Sequence, residues 1–292
     1  MIEPTFCSGL ADIASRYEGF IVDQWGVLHD GASPYPGAIE TLERLRAAGR
    51  RVVLLSNSGR RVAVNLERLR AMGFVDDLVD GVFTSGEATW RALRDRPDPF
   101  FAALGQRCLL WAQDADHEIM TGLPLTVVDD VGEADFVLLA GTDPADSLES
   151  FKPALARALA RDLPMVCANP DVVVVGPDGM GMAPGAIARH YAALGGRIAY
   201  AGKPHPPIYR LCLDTLAPIA PERILAVGDS VEHDIAGGAG MGLDTALIMG
   251  GIHAEAFDLE RGRSANWPAL ERLARPHEVL PRWVLPRFRW SA

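Results

Sequence analysis

The chain has 292 residues, 49% of them hydrophobic and 23% charged, a composition typical of a soluble globular protein with one large or two smaller domains. Its 38 acidic residues outnumber 28 basic ones and give a net charge of −10, which argues against a surface that neutralises many nucleic-acid phosphates. No signal peptide or membrane-spanning run of ~20 apolar residues is evident, and the four scattered cysteines suit a reducing compartment, so we expect a cytoplasmic protein with no membrane partner.

Strands and helices alternate from the start of the chain. In order, the pattern predicts a strand in GFIVDQWGVL (19–28), a helix in AIETLERLRAAG (38–49), a strand and Ser/Asn/Gly loop in RVVLLSNSGR (51–60), a helix in VNLERLRAMG (64–73), and a short strand and turn in GVFTSGEAT (81–89). The first strand ends at Asp23. This order predicts an α/β fold with a doubly wound, Rossmann-like parallel sheet covered by helices on both faces.

The pattern then restarts within the chain. New strands are predicted in RCLLWA (107–112), LTVV (125–128), DFVLLA (135–140), PMVCAN (164–169) and VVVV (172–175), and new helices in SFKPALARALARD (150–162) and APGAIARHYAALGG (183–196). The first pattern resumes in RILAVGDS (223–230) and TALIMGG (245–251). We therefore predict a core domain formed by residues 1–86 and 197–292, interrupted by an inserted α/β domain of residues 87–196.

Polar side chains recur where the predicted core strands end. They are Asp23 after the first strand, Ser56 and Asn57 after the second, Lys203 in AGKPHPPIY, and Asp229 and Asp234 in VGDSVEHDI. Groups at the carboxyl ends of neighbouring parallel strands converge on one crevice, so we expect these side chains to face each other. Clustered carboxylates need a cation, and oxygen ligands suit Mg²⁺. Lysine, hydroxyl and main-chain N–H groups suit a phosphate, and an aspartate can accept the phosphoryl group covalently.

The ordered set D-x-W-G-V-L, S-N-S, G-K-P and G-D-S-x-x-x-D resembles the haloacid dehalogenase superfamily, over about residues 19–250. The long insertion resembles the type II cap of that superfamily. CANPDVVV (167–174) resembles the NPD segment of the branch with para-nitrophenyl phosphatase-like and nucleotide phosphatase-like enzymes. The resemblance implies a Mg²⁺-dependent phosphatase that acts on a small phosphorylated metabolite through an aspartyl-phosphate, with the cap determining the substrate.

By position, the resemblance also implies roles for individual residues. The implied metal ligands are the nucleophile Asp23, the main-chain carbonyl of Trp25, Asp229 and, directly or through water, Asp234. The implied phosphate and substrate contacts are Ser56, Asn57, Ser58, Lys203, Asn169 and Asp171. Lys203 and Asp23 would be the catalytic pair, and the NPD segment would lie near the hinge and the substrate entrance.

Trp25 departs from the pattern of the superfamily. Most of its phosphatases have a second Asp at this position, which protonates the leaving oxygen and then activates water. Indole N–H does not titrate usefully, and loss of acid–base help costs ~10²–10⁴-fold in rate. His29, Asp30, His205 and His233 are candidate substitutes, although each is also typical of a structural loop.

Three functions therefore stay open: a phosphatase, a dehalogenase-like hydrolase of the same superfamily, and a weakly catalytic phosphometabolite-binding protein. The sequence leaves the substrate open, and a homodimer is possible. Two further segments predict structure rather than chemistry: GGAGMGLDT (237–245) reads as a helix stop and turn, and DADHE (114–118) as a solvated acidic loop. Arg60 and Arg61 could meet a second anionic group or lie exposed at a helix start.

Overall fold

The apolar runs of the sequence form the central strands of two sheets in the computed structural model, which describes residues 3–176, 179–257 and 266–291. The chain divides into two compact units. Unit 1 comprises Met1–Ser56, Leu66–Phe83 and Tyr209–Ala292, and unit 2 comprises Asn57–Asn65 and Thr84–Ile208.

The strands are β1 (Thr5–Phe6), β2 (Gly19–Asp23), β3 (Arg51–Ser56), β4 (Gly81–Thr84), β5 (Arg107–Trp111), β6 (Thr126–Val128), β7 (Phe136–Leu139), β8 (Met165–Cys167), β9 (Val173–Gly176), β10 (Gly179–Met182), β11 (Ile198–Tyr200), β12 (Ile224–Gly228), β13 (Asp244–Ile248) and β14 (Trp283–Leu285). The helices are α1 (Ala38–Ala47), α2 (Val62–Ala71), α3 (Ser85–Asp95), α4 (Pro99–Ala102), α5 (Leu148–Ala160), α6 (Pro184–Ala193), α7 (Pro206–Leu216), α8 (Ala236–Gly240), α9 (Ala254–Phe257) and α10 (Trp267–Ala274).

Unit 1 is built on a seven-stranded sheet in the order β1-β14-β13-β12-β2-β3-β4, with parallel pairing from β1 across to β3. Successive residues of β13 belong to different hydrophobic clusters because neighbouring side chains along a strand point to opposite faces. Ile248 shares one cluster with Leu42 of α1, whereas Leu247 shares the other with Leu270 of α10. Helices therefore cover both faces, and the predicted doubly wound α/β fold is confirmed.

The basic, aromatic C-terminal segment contributes an inner strand of this sheet. β14 pairs in parallel with β13 on one side and with the short β1 on the other, where Thr5 lies opposite Trp283. Val284 and Leu285 are fully buried in this position. The segment is thus part of the hydrophobic core of unit 1.

Unit 2 contains a five-stranded parallel sheet in the order β11-β8-β7-β5-β6. Leu155 of α5 and Ile187 of α6 pack with Val137 and Met165 in one hydrophobic cluster. The edge strand β11 pairs with β8, so this sheet continues past residue 196. A separate antiparallel hairpin joins β9 and β10.

One local prediction differs from the structure, and one strand was not predicted. The residues SGEAT, expected as a turn after β4, form the first turns of α3 because the hydroxyl of Thr84 accepts a hydrogen bond from the Glu87 N–H at 3.0 Å and caps the helix. The partner of the VVVV strand, β10, was not expected from its sequence, GMGM.

Among the described residues, no helix combines the length and the apolar character needed to cross a membrane.

Candidate active site

Three buried carboxylates meet at one edge of the sheet in unit 1. Asp23 is the last residue of β2, and Asp229 directly follows the neighbouring strand β12. Because β2 and β12 are parallel and in register, their carboxyl ends coincide. Ligand oxygens of Asp23, Asp229 and Asp234 all lie within 4.8 Å of one another, although the residues are only 8%, 5% and 4% exposed.

Asp229 is enclosed by two glycine-containing loops. The Ile252 N–H donates a hydrogen bond to Asp229 Oδ2 at 2.7 Å. A Cβ added to Gly26 or to Gly251 would collide with the same carboxylate oxygen. Gly26 also has φ of +82°, a conformation that favours glycine, so backbone shape and close approach both require glycine there.

Asp234 lies in a wide helical turn, Val231–Ile235, that precedes α8. The Ser230 N–H donates to Asp234 Oδ2 at 3.2 Å, and the Ser230 hydroxyl accepts from the His233 N–H at 3.2 Å. From the side, the Tyr209 hydroxyl donates to the His233 carbonyl at 3.1 Å. Such widened turns are frequent at functional sites, and this one fixes Asp234 beside β12.

The cluster suits a hard divalent cation. All its side-chain donors are carboxylate oxygens, the donor type that Mg²⁺ and Ca²⁺ take in proteins. The like charges repel each other strongly in a buried position, so a cation is the natural counter-charge. In the part of the chain that the structure describes, no other group of three His, Cys, Asp or Glu side chains has this arrangement.

Trp25 covers a buried histidine in the loop after β2. The residue is 37% exposed, and its ring lies so close to Gly31 that a Cβ there would collide with the indole. The His29 ring meets the indole edge-on with centroids 6.1 Å apart, and it meets Phe74 in the same way at 6.4 Å. The indole therefore packs as the outer member of a small cluster of rings in edge-on contact.

His29 and Asp30 are poor substitutes for a missing general acid. The Gly31 N–H donates to His29 Nδ1 at 3.0 Å, which places the proton of the neutral ring on Nε2. Burial, assisted by the charge of Arg68, lowers the pKa of His29 to about 4, so the ring is neutral at pH 7. Asp30 accepts two main-chain N–H groups of its own turn, and these hydrogen bonds lower the pKa of its exposed carboxyl.

A second polar cluster lies in unit 2 and contains three of the residues expected at the site. The Lys203 N–H donates to Asn57 Oδ1 at 2.7 Å, and Asn57 Nδ2 donates to Asp171 Oδ1 at 2.8 Å. Asn57 and Lys203 are 4% and 3% exposed. Burial raises the pKa of Asp171, while the hydrogen bond from Asn57 and the charge of Lys203 act in the opposite direction.

The remaining residues expected at the site, and the candidate acid His205, have local structural contacts. Asn169 Oδ1 accepts the Asp171 N–H at 3.0 Å, and the Ser58 carbonyl accepts the Gly86 N–H at 2.9 Å. The ring of His205 stacks on Tyr200 with centroids 4.7 Å apart, and burial lowers its pKa. Ser56, in unit 1, is the half-buried last residue of β3.

Two segments that the sequence predicted as solvated, or left open, form ion pairs between side chains far apart in sequence. Asp116 of DADHE does not simply face solvent but forms an ion pair with Arg60 at 3.0 Å. Arg61 is paired with Glu87 at 2.6 Å and lies over the Trp90 ring at 4.0 Å. The Gly251–Ile252 loop was missed altogether; its signal was a Gly-Gly pair at the carboxyl end of a predicted core strand.

Comparison with known proteins gives consistent matches along the chain. A family model described as haloacid dehalogenase-like hydrolase matches residues 20–125, and a second, HAD-hydrolase-like, matches residues 200–278. Chronophin from Homo sapiens is 31% identical over 254 residues, covering 84% of this chain and 85% of chronophin. The chain belongs to the haloacid dehalogenase-like hydrolase family.

Two further relatives of this family align over most of the chain. The ribonucleotide monophosphatase NagD from Escherichia coli (strain K12) is 31% identical over 238 residues, covering 80% of this chain and 87% of NagD. The crystal structure of a haloacid dehalogenase-like hydrolase from Brucella suis 1330 superimposes with a TM-score of 0.82 at 30% identity, covering 97% of this chain and 99% of that one. The two regions matched by the family models include every residue expected at the site except Asn169 and Asp171.

Proposed function

We propose that this hydrolase is a cytoplasmic, Mg²⁺-dependent phosphatase that hydrolyses a small phosphorylated metabolite through an aspartyl-phosphate on Asp23. The acid cluster of Asp23, Asp229 and Asp234 is the single observation that carries the proposal. A dehalogenase needs no such set of metal-type acids, and NagD, a relative over most of the chain, is named a phosphatase. The free state of all four cysteines suits a reducing compartment.

The proposed chemistry begins with Asp23. A carboxylate oxygen of Asp23 attacks phosphorus, and the ester P–O bond breaks with its electron pair passing to the leaving oxygen, which takes up a proton. Water then attacks the phosphorus of the aspartyl-phosphate, the bond to Asp23 breaks, and inorganic phosphate forms. A bound Mg²⁺ would offset the negative charge shared by the carboxylates and the phosphate.

The residues that would hold the metal fit its needs. Asp23, Asp229 and the Trp25 carbonyl would be direct ligands, and Asp234 would complete the set or orient a water. The hydrogen bond from Ile252 N–H already fixes the orientation of Asp229.

The phosphate contacts are proposed to come from the loop after β3 and from Lys203. Lys203 supplies a point charge for the phosphoryl oxygens, and Ser56 and Ser58 supply hydroxyl or main-chain donors. Since both ends of the Asn57 amide are engaged by Lys203 and Asp171, we propose that Asn57 contributes through its main-chain N–H. Residues 87–196 are proposed to form the cap that determines the substrate, and residues 1–86 and 197–292 the catalytic core.

A second candidate function follows from Trp25. Without a titratable group at this position, the chain could bind phosphorylated metabolites and turn them over poorly. The aryloxide of an aryl phosphate can leave without being protonated, whereas the alkoxide of an alkyl phosphate needs a proton in order to leave. A phosphatase that lacks its built-in acid should therefore hydrolyse para-nitrophenyl phosphate measurably and sugar phosphates only slowly.

The deciding experiment is a phosphate-release screen of the purified protein with Mg²⁺ and with a chelator. Asp23→Asn keeps the size of the side chain and removes the nucleophile, and Asp77→Asn is the matched control because Asp77 is an exposed acid of the same unit. We expect Mg²⁺-dependent release that is lost in Asp23→Asn and kept in Asp77→Asn. Undiminished release by Asp23→Asn would refute the aspartyl-phosphate route, and binding of phosphate without release would favour the second candidate.

A further inference from the structure

The side-chain amide of Asn57 acts as a bridge within unit 2. Its Oδ1 accepts the Lys203 N–H at 2.7 Å, and its Nδ2 donates to the Lys203 carbonyl at 3.3 Å and to Asp171 Oδ1 at 2.8 Å. The amide thus pairs with both main-chain groups of Lys203. Its residue is 4% exposed, so water is a poor replacement for these partners.

The carboxylate of Asp171 fixes the orientation of the Asn57 side-chain amide. A carboxylate can only accept hydrogen bonds, so it requires Nδ2 on its own side and leaves Oδ1 for the Lys203 N–H. A flipped amide would place its oxygen against the carboxylate and its NH₂ group against the Lys203 N–H. Both contacts would be repulsive, and both would be buried.

Asp171 is itself fixed at its main chain. Its N–H donates to Asn169 Oδ1 at 3.0 Å, and its carbonyl accepts the Gly185 N–H at 2.8 Å near the start of α6. On the other side of the amide, a Cβ at Gly202 would lie 2.6 Å from Asn57 Oδ1. The bridge is therefore closely packed at both ends.

We propose that Asp171 is a positioning residue, whose carboxylate fixes the amide of Asn57 so that the amide holds the main chain of Lys203 in place. The consequence for catalysis rests on the proposed function, since it takes Lys203 as the cation that meets the phosphoryl group. This role differs from the substrate contact implied for Asp171 by the family resemblance. A carboxylate facing a phosphate dianion would repel it, whereas a carboxylate facing an amide NH₂ group is satisfied.

The main test compares Asp171→Ala with Asp171→Asn. Asparagine keeps an acceptor for Asn57 Nδ2 and loses only the charge, whereas alanine removes the acceptor. For Asp171→Ala we expect kcat/KM to fall about 10- to 100-fold, by the same factor for aryl and alkyl phosphates, and the affinity for inorganic phosphate to fall in parallel. For Asp171→Asn we expect a loss below about fivefold, and for the exposed control Asp95→Ala no loss.

A double-mutant cycle isolates the route of the effect. If Asp171 acts through the amide, Asp171→Ala should cost little more in an Asn57→Ala background, because the bridge is already gone. Additive losses would overturn the inference. Equal losses in Asp171→Asn and Asp171→Ala would also overturn it, as would a loss that depends on the leaving group.

A structural readout separates this inference from the proposed function. The two side-chain N–H signals of Asn57, assigned from their absence in Asn57→Ala, should be slow to exchange in the wild type and in Asp171→Asn. They should exchange rapidly in Asp171→Ala, with melting curves confirming that the variant is folded. If the wild type hydrolyses no phosphate ester, the proposed function fails, and these signals still decide whether Asp171 positions the amide.

Discussion

Replacing Asp229 by Asn should stabilise the metal-free protein. Ligand oxygens of the three aspartates lie within 4.8 Å of one another, so each pair of charges repels by at least about 3.5 kcal/mol at an effective dielectric constant of about 20. Asp229 takes part in two such pairs. The repulsion can cost no more than about 4 kcal/mol, because that is the free energy needed to protonate an ordinary aspartic acid at pH 7 and so remove its charge. Asn keeps an oxygen that can accept the Ile252 N–H, so we expect a net gain of about 2–4 kcal/mol.

Thermal melting with and without Mg²⁺ measures this effect. For domains of about 150–250 residues, 1 kcal/mol corresponds to about 2–4 °C, so the metal-free Asp229→Asn protein should melt about 4–16 °C above the wild type. Saturating Mg²⁺ should raise the melting temperature of the wild type and leave that of Asp229→Asn nearly unchanged. The control Asp77→Asn should have a free energy of unfolding within about 0.5 kcal/mol of the wild type. Its melting temperature should rise with Mg²⁺ as that of the wild type does.

Two results would refute the reasoning about the acid cluster. If metal-free Asp229→Asn were no more stable than the wild type, the three carboxylates would not repel one another as the distances require. If Mg²⁺ stabilised both proteins equally, Asp229 would not be a metal ligand. Neither result depends on the identity of the substrate.

Three further predictions concern the surroundings of the cluster. Trp25→Asp should hydrolyse alkyl phosphates up to ~10²–10⁴-fold faster than Trp25→Asn, because the two side chains differ in having a titratable proton; the kcat on glycerol phosphate measures this. His29 has a pKa lowered to about 4, so below pH ~6.5 the unfolded chain takes up a proton that the folded state does not. The wild type should therefore lose about 2 kcal/mol more stability between pH 7 and pH 5 than His29→Asn, measured by urea unfolding. Gly251→Ala should displace the Asp229 carboxylate and weaken Mg²⁺ binding at least about tenfold in calorimetry, whereas Gly240→Ala, which has open space around it, should not.

Each of these predictions has a result that would contradict it. Equal alkyl-phosphate rates in the two Trp25 variants would mean that an acid at this position does not reach the leaving oxygen. A stability profile of His29→Asn as steep as that of the wild type would show that the histidine is not kept neutral by burial. Unchanged Mg²⁺ affinity in Gly251→Ala would show that the loop can move away without disturbing Asp229.

The acid cluster was predictable because it follows from topology alone. Long apolar runs such as Val52–Leu55 specify buried strands, and strand–helix alternation specifies parallel pairing. In a parallel sheet all carboxyl ends lie at one edge, so residues that follow strands, such as Asp23 and Asp229, are brought together. No knowledge of side-chain packing is needed for this step.

The partners of individual polar groups were not predictable from the sequence. Asn57 has the residue type of a phosphate ligand, yet its amide is engaged by Asp171 and Lys203, which lie more than a hundred residues away. Arg60 and Asp116 belong to segments that looked exposed when each was considered by itself. Such pairings depend on tertiary packing, for which residue type and local spacing carry no signal.

The register between β2 and β12 links the chemistry of the chain to the order in which it can fold. Val22 lies opposite Val227, so this pairing closes a loop of about 200 residues, and loops of that length are slow to close. Asp23 and Asp229 stand at the ends of these two strands, and their cluster exists only once the pairing has formed. A cation that binds there ties together the ends of a late, long-range contact. Divalent metal should then slow the opening of unit 1 as well as support catalysis, and protection from proteolysis by Mg²⁺ would report completion of the fold.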